Sequence, residues 1–352
     1  MKFIHIADVH LGARPDAGEA CLESRPQELW DAFEHIIDIC REEQTDLLLI
    51  AGDLFHRQPL LRDLKEVNYL FSTLPRTKVV LIAGNHDYIR KDSYYRTFRW
   101  NENVHMLTGE ELECVEFAGL QTAVYGLSYH SREIREPLYD TALPWRRQKY
   151  EILLAHGGDD RHIPISWDAL ERSGFCYIAL GHIHKPRIVR ENRIIYAGAL
   201  EPSDRNDTGP HGYVSGEAGG GRMRVKWFPC ALREYIYLEI PVDESDTSGS
   251  VRERIRDCIR ERGAENIYKI VLRGGRSGGM VFRTDIMKGA GNIIEVVDET
   301  HPAYDFEKLK RENEGNLIAR YIERFAGCDR DSKEYEALCE GVEALLENRR
   351  TV

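Results

Sequence analysis

The chain has 352 residues, a formal net charge of −11 and an ordinary apolar content of 42%. That length exceeds one core of usual size, so two domains are expected, and the acidic balance excludes attraction of nucleic acid by the chain as a whole. No apolar run is long enough to cross a bilayer, and "MKFIHIADVH" meets His5 and Asp8 too early for a secretory signal, so a cytoplasmic protein without membrane association is expected.

From the start to about residue 200, short runs rich in Val, Ile and Leu alternate with segments of helical spacing. The runs are "KFIHIA", "DLLLIA", "KVVLIA", "EILLAH", "CYIALGH" and "RIIYAG". Being apolar on both faces, they predict a sheet system covered on both sides, hence an α/β or layered α-β-β-α domain. Between the first two runs, Leu29, Phe33, Ile36, Ile37 and Cys40 share one helical face. Glycines at 216 and 219–221, between "HGYVS" and "RMRVKWF", predict a hairpin.

A new block starts near "REYIYLEIPV". There a strand, an amphipathic stretch carrying Val251, Ile255 and Ile259, and the strands "IYKIVLRGG" and "NIIEVVDE" predict a small α+β domain. The tail, from "DFEKLKRENEGNLIARYIERF" through "KEYEALCEGVEALLENRR", predicts two charged amphipathic helices. The expected division is 1–234, 235–300 and 301–352. Eight scattered cysteines without a Cys-x-x-Cys fit reduced thiols filling core space.

Chemistry collects at the ends of the first-domain strands. They hand over to Asp8 and His10, to Asp53 and His56, to Asn85, His86 and Asp87, to His156, and to His182 and His184. In an α/β domain the carboxyl ends of adjacent strands converge on one crevice. A glycine before Asp53, Asn85 and His182 permits a sharp turn and close backbone approach. Asp8, His10, Asp53, Asn85, His156, His182 and His184 are too many donors for one tetrahedral zinc, but they suit two octahedral divalent ions with open water positions. Each motif alone is weak; together they predict a metal site.

The ordered series "ADVH", "GD", "GNHD", "AH" and "GHIH" resembles the calcineurin-like metallophosphoesterases. "GDLFHRQ" and "IIYAGALEPSDRNDTGPHGYV" narrow the likeness to SbcD-type DNA repair exonucleases of the YhaO-like branch. The resemblance implies a layered α-β-β-α metallophosphoesterase (nuclease) domain, a small α+β capping domain and a C-terminal helical segment. It implies one metal held by Asp8, His10, Asp53 and His184, and another by Asp53, Asn85, His156 and His182, with Asp53 bridging. Only Asp8 and Asp53 among these are anionic, so two divalent ions leave the cluster cationic and attractive to a phosphodiester. Imidazole mixed with carboxylate and amide oxygen suits manganese, which the resemblance also implies.

By the same likeness His86 is catalytic: it reaches the phosphoryl group and protonates the leaving alkoxide. Asp87 either holds its imidazole or caps a helix. His56 either contacts substrate or is structural. In "YIRKDSYYRTFRW", Arg90 and Lys91 among aromatic rings fit a DNA edge, or else a helix with its rings inward and its cations solvated. His5, His35, His105, His130, His162, His211 and His301 carry no motif and are expected on the surface or in the core.

The function expected is a manganese-dependent DNA exonuclease/endonuclease in double-strand-break repair. It would be a homodimer acting with an SMC-like coiled-coil ABC ATPase of the SbcC or YhaN type. That partner would dock on the tail, whose apolar residues could equally pack on the chain's own second domain. A phosphatase or cyclic-nucleotide phosphodiesterase on the same scaffold is the second expectation; a non-catalytic metal scaffold would leave His86 without a role.

Overall fold

The computed structural model describes residues 1–17, 22–329 and 332–350. Of the cysteines, Cys21 lies outside these residues and the other seven are free thiols. The chain forms two compact units, with the boundary between Glu234 and Tyr235.

In chain order the first unit forms β1 (Lys2–Ile6), α1 (Arg25–Glu42), β2 (Leu47–Ala51), α2 (Leu61–Ser72), β3 (Lys78–Ile82), β4 (Val104–Met106), β5 (Glu113–Phe117) and β6 (Thr122–Gly126). It continues with β7 (Tyr150–His156), α3 (Trp167–Arg172), β8 (Tyr177–Gly181), β9 (Arg187–Arg190), β10 (Ile194–Tyr196), β11 (Gly212–Gly219) and β12 (Arg222–Pro229). These make two sheets of six strands, ordered β12-β11-β1-β2-β3-β4 and β5-β6-β7-β8-β10-β9. Strands β1 to β4 run parallel in one sheet, as do β6, β7, β8 and β10 in the other.

The sheets stack face to face, and the side-chain alternation of each strand serves two cores. In β2, Leu47, Leu49 and Ala51 enter the layer between the sheets, beside Ile152 and Leu154 of β7. Leu48 and Ile50 face the other way, against Phe33 and Ile36 of α1 and Val67 of α2. The outer face of the second sheet buries Leu153, Ile178 and Leu180 with Leu170 of α3. The layering is therefore α-β-β-α, as the doubly apolar runs require. Each predicted run is a strand, and β11 and β12 form the predicted hairpin. Strands β4, β5, β6 and β9 were not foreseen: β4, β5 and β9 are short sheet-edge strands with partly buried or exposed residues, and β6, buried inside its sheet, is a five-residue Thr-Ala-Val-Tyr-Gly run whose threonine, alanine and glycine give little apolar signal.

The second unit contains β13 (Tyr235–Val242), α4 (Ser248–Arg262), β14 (Ile267–Ser277), α5 (Thr284–Lys288) and β15 (Ile293–Ala303), followed by α6 (Phe306–Glu312), α7 (Leu317–Arg324) and α8 (Lys333–Arg350). Its three strands are parallel in the order β13-β14-β15. Val251, Ile255 and Ile259 of α4 are buried against them, as their spacing predicted. The tail departs from expectation, because the first of its two predicted helices is two. Gly315 takes a φ of 81°, and Asn316 accepts hydrogen bonds from the Ile318 and Ala319 amides to start α7 afresh. Ile318, Ile322, Leu338 and Val342 of the tail are buried together, whereas Leu317 is 65% exposed.

Candidate metal centre

The carboxyl ends of β1, β2 and β3 in one sheet and of β7 and β8 in the other bring the predicted donors together. Asp8, His10, Asp53, Asn85 and His156 are all buried, and His182 and His184 are partly so. Asp53 Oδ2 lies 3.9 Å from His10 Nε2 and 3.4 Å from His156 Nε2. On one side of it, His10 Nε2 faces His184 Nε2 at 3.1 Å. On the other, Asn85 Oδ1 is 2.9 Å from His156 Nε2 and 3.0 Å from His182 Nδ1. Donor atoms of Asp8, His10 and His184 lie within 4.8 Å of one another, as do those of Asp8, Asp53 and His156.

Backbone strain accompanies this convergence. Asp8, His10, Asp53 and His182 hold φ values of 50°, 52°, 50° and 94°, in a region that non-glycine residues rarely occupy. The strain is fixed by hydrogen bonds: the His182 amide donates to Asp8 at 2.9 Å and the His86 amide to Asp53 Oδ1 at 2.8 Å. Close packing matters as much. A Cβ on Gly84 would collide with Asp53 Oδ1, and one on Gly52, whose φ is 86°, with the His156 ring.

The histidines present the right nitrogens. His156 Nδ1 is 2.8 Å from the Ala51 carbonyl, His182 Nε2 is 2.8 Å from Asp159 Oδ2, and His184 Nδ1 is 3.0 Å from Asp207 Oδ2. Each far nitrogen thus donates outward and leaves the other as a lone-pair donor to the centre, the arrangement metal-ligating histidines use. Carboxylates govern the charges. Burial opposes ionisation of His156, but Asp53 and Asp8 push it up to about 9, and Asp207 and Asp8 do the same for His184. His182, where burial and His156 dominate, falls to about 4. Imidazole, carboxylate and amide donors in two adjoining groups around a shared carboxylate fit two divalent cations.

His86 lies beside this cluster, its ring centroid 4.8 Å from that of His10 and 5.0 Å from that of His56. Its Nδ1 is 3.1 Å from the His56 carbonyl oxygen. Neither role expected for Asp87 holds. Its buried carboxylate accepts from the Gly84 and Phe55 amides and the Tyr95 hydroxyl, clamping the turn rather than the His86 ring, and no helix starts there. Nor do residues 88–100 form an α-helix. Tyr95 is buried, Phe98 and Trp100 pack on the core, and Arg90 pairs with Asp92 at 3.1 Å, while Lys91 is exposed. His56 is exposed.

Sequence reasoning missed Asp159, His162 and Asp207. His162, expected as a plain surface or core residue, shares Asp159 with His182, at 2.9 Å. "AHGGDD" offered two candidate carboxylates three and four residues past His156, and nothing local distinguishes Asp159 from Asp160.

Residues 1–186, more than half of the chain, match the family model described as calcineurin-like phosphoesterase. The chain belongs to that family. Calcineurin-like phosphoesterases use a dinuclear metal centre, and the donor groups described here are of the kind such a centre requires. Among relatives, the metallophosphoesterase YhaO of Bacillus subtilis is 27% identical over 301 residues, 78% of this chain and 72% of the relative. The DNA double-strand break repair protein Mre11 of Methanocaldococcus jannaschii is 30% identical over 221 residues, 59% of this chain and 58% of the relative. The Mre11 protein of Halobacterium salinarum is 26% identical over 288 residues, covering 78% of this chain and 70% of the relative. This calcineurin-like phosphoesterase is thus related to the DNA double-strand break repair proteins Mre11. Among the described residues no helix is long and apolar enough to cross a membrane.

Proposed function

We propose that this phosphoesterase is a manganese-dependent DNA exonuclease/endonuclease whose reaction centre lies within residues 1–234. The observation that carries this reading is the position of the Asp53 carboxylate between His10 and His156, 3.9 and 3.4 Å from their Nε2 atoms. Asp8, His10, Asp53 and His184 would hold one ion, and Asp53, Asn85, His156 and His182 the other. When bound, the ions supply Lewis acidity and lower the pKa of water. The remaining work falls to the chain. His86, its Nδ1 held by the His56 carbonyl, keeps Nε2 for the phosphate ester and gives its proton to the leaving oxygen. Asp87 keeps the turn that carries Asn85 and His86 in place. His56, Arg90 and Lys91 contact the substrate strand.

Relatedness to proteins named for DNA double-strand break repair supports DNA as substrate. A cytoplasmic homodimer working with an SMC-like ABC ATPase of the SbcC or YhaN type completes the reading, with α6, α7 and α8 as the docking segment. The deciding experiment supplies manganese to purified protein and offers linear DNA and bis(4-nitrophenyl) phosphate. Cleavage of both is expected. Hydrolysis of only the small ester would replace the nuclease with a phosphatase or cyclic-nucleotide phosphodiesterase.

A further inference from the structure

Beside His86 a pocket of about 450 Å³ opens, lined by Arg57, Gln58, Asn85, His86, Tyr88 and Arg132 among others. Asn85 and His86 belong equally to the metal centre, so the pocket adjoins the place where the ester would react. Its other walls come from the loops after β2, β3 and β6; Arg57 and Gln58 lie in the "GDLFHRQ" stretch, where the sequence assigned them no role, and nothing in the motif series pointed to Arg132.

The charge of this pocket is unusual for the chain. Acidic residues outnumber basic ones, 59 to 48, and many surface arginines have found a carboxylate. Arg90 pairs with Asp92, Arg135 with Glu133 and Arg190 with Glu171. Arg57 and Arg132 do not: among the described residues neither forms an ion pair or a side-chain hydrogen bond, and both are exposed. Glu133, next to Arg132 in sequence, is already engaged by Arg135 at 3.1 Å and approached by Arg161 at 3.9 Å. Arg57 and Arg132 therefore line one pocket beside the metal centre with no ion-pair partner among the described residues, and guanidinium groups are the side chains best suited to phosphate oxygens.

Gln58 adds a second feature. Its Nε2 donates to the Tyr88 carbonyl at 2.7 Å and ties two walls together, while its buried Oε1 has no hydrogen-bond partner among the described residues. That oxygen has almost no accessible surface, so Gln58 braces the pocket wall, and the contacts the pocket offers a ligand are the two guanidinium groups, which suit phosphate oxygens.

We propose that this pocket, through Arg57 and Arg132, binds the phosphate adjacent to the scissile one, so that the centre selects nucleic acid strands over isolated phosphate esters. The proposal rests on the nuclease reading and deepens it: the two ions capture any phosphate ester, and the pocket supplies the preference for a polynucleotide.

The test compares wild type with the Arg57→Ala/Arg132→Ala double variant. Probes are a short single-stranded DNA oligonucleotide and bis(4-nitrophenyl) phosphate, which carries one phosphate. The variant should raise KM for the oligonucleotide about ten-fold or more, as expected on removing one or two charge-assisted hydrogen bonds. Its turnover of the small ester should match wild type. Oligonucleotide binding in EDTA, followed by fluorescence anisotropy, gives a readout independent of catalysis. The slope of log affinity against log salt should become shallower by about 0.7 for each phosphate that the variant no longer neutralises, and Arg57→Lys/Arg132→Lys should restore it. Equal losses on both substrates, or an unchanged KM and an unchanged salt slope, overturn the proposal. A wild type that cleaves neither probe sinks the metal-centre reading instead, and the EDTA slope still decides the pocket.

Discussion

His10 and His184, 174 residues apart in sequence, face each other through their Nε2 atoms at 3.1 Å. Two ring nitrogens at that distance repel unless one carries a proton or both serve a cation. His184 donates from its other nitrogen to Asp207, and among the described residues His10 Nδ1 is buried without a partner. Without metal, His184, whose pKa, despite burial, its carboxylate neighbours raise to about 9, supplies the proton between the two nitrogens, and a shared ion would displace it. Removing His184 as His184→Ala should therefore lower the metal bound per chain by one equivalent, measured by plasma mass spectrometry after gel filtration. Stringent chelation should abolish ester hydrolysis in the wild type, and manganese should restore it better than magnesium. Activity that survives chelation would refute the dinuclear centre.

His86→Gln isolates proton transfer from metal binding. The imidazole Nδ1 faces the His56 carbonyl, and Gln keeps much of the ring's volume. The expected result is unchanged metal content with kcat lowered about 10²- to 10⁴-fold. A variant with full activity would leave His86 without the acid role.

Asp207→Ala removes the acceptor that sets the His184 tautomer. Asp207 is itself anchored by the Ser203 hydroxyl at 2.8 Å and the Ser203 amide at 3.1 Å, so its carboxylate is placed independently of any ion. Metal affinity, read by competition with a chelating dye, should drop about 10- to 100-fold, the usual effect of deleting such a partner. Asp207→Asn should lose less, since its amide oxygen can still accept.

Stability near the first helix should depend on pH in two opposite senses. Arg25, wholly buried, donates to Glu28 at 2.7 Å, Glu201 at 2.9 Å and the Pro202 carbonyl at 2.7 Å. Burial opposes ionisation of Glu28, but hydrogen bonds from Arg233, Arg25 and Ser24 outweigh it and bring its pKa down to about 2. Its contribution is complete above the ordinary carboxylate range and lost as pH falls toward 2. Glu201 is raised to about 6 by burial, which Arg25, shared with Glu28, offsets only in part. The folded chain therefore takes up that proton first, and stability rises slightly as pH falls through 6. Thermal melts from pH 7 to pH 2.5 should show both limbs; Glu28→Gln should flatten the acid one and Glu201→Gln the other. Arg25→Ala should cost about 3–5 kcal/mol, since it leaves buried carboxylates uncompensated.

Gly84→Ala tests the close approach at the end of β3. The added methyl would meet Asp53 Oδ1 and the Asp53 amide, neither of which can move without disturbing the centre. Loss of metal affinity together with a lower melting temperature is expected; an unaffected protein would show that the packing there is looser than the distances imply.

The strand runs, the buried face of α1 and the polar residues at five strand ends were legible from the sequence because each is a local pattern. Apolar continuity reports burial, helical spacing reports a face, and a glycine followed by Asp, Asn or His reports where a strand stops. Tertiary structure alone decided what those ends meet. Asp159 and Asp207 each lie 23 residues from the histidine they orient, on loops whose course no local rule encodes. Likewise Asp87 clamps amides instead of a ring, the rings of Tyr95, Phe98 and Trp100 turn inward, and Arg57 and Arg132 come to line the same pocket. Periodicity records which side of an element is dry; which nitrogen of an imidazole faces inward depends on acceptors brought from elsewhere in the chain.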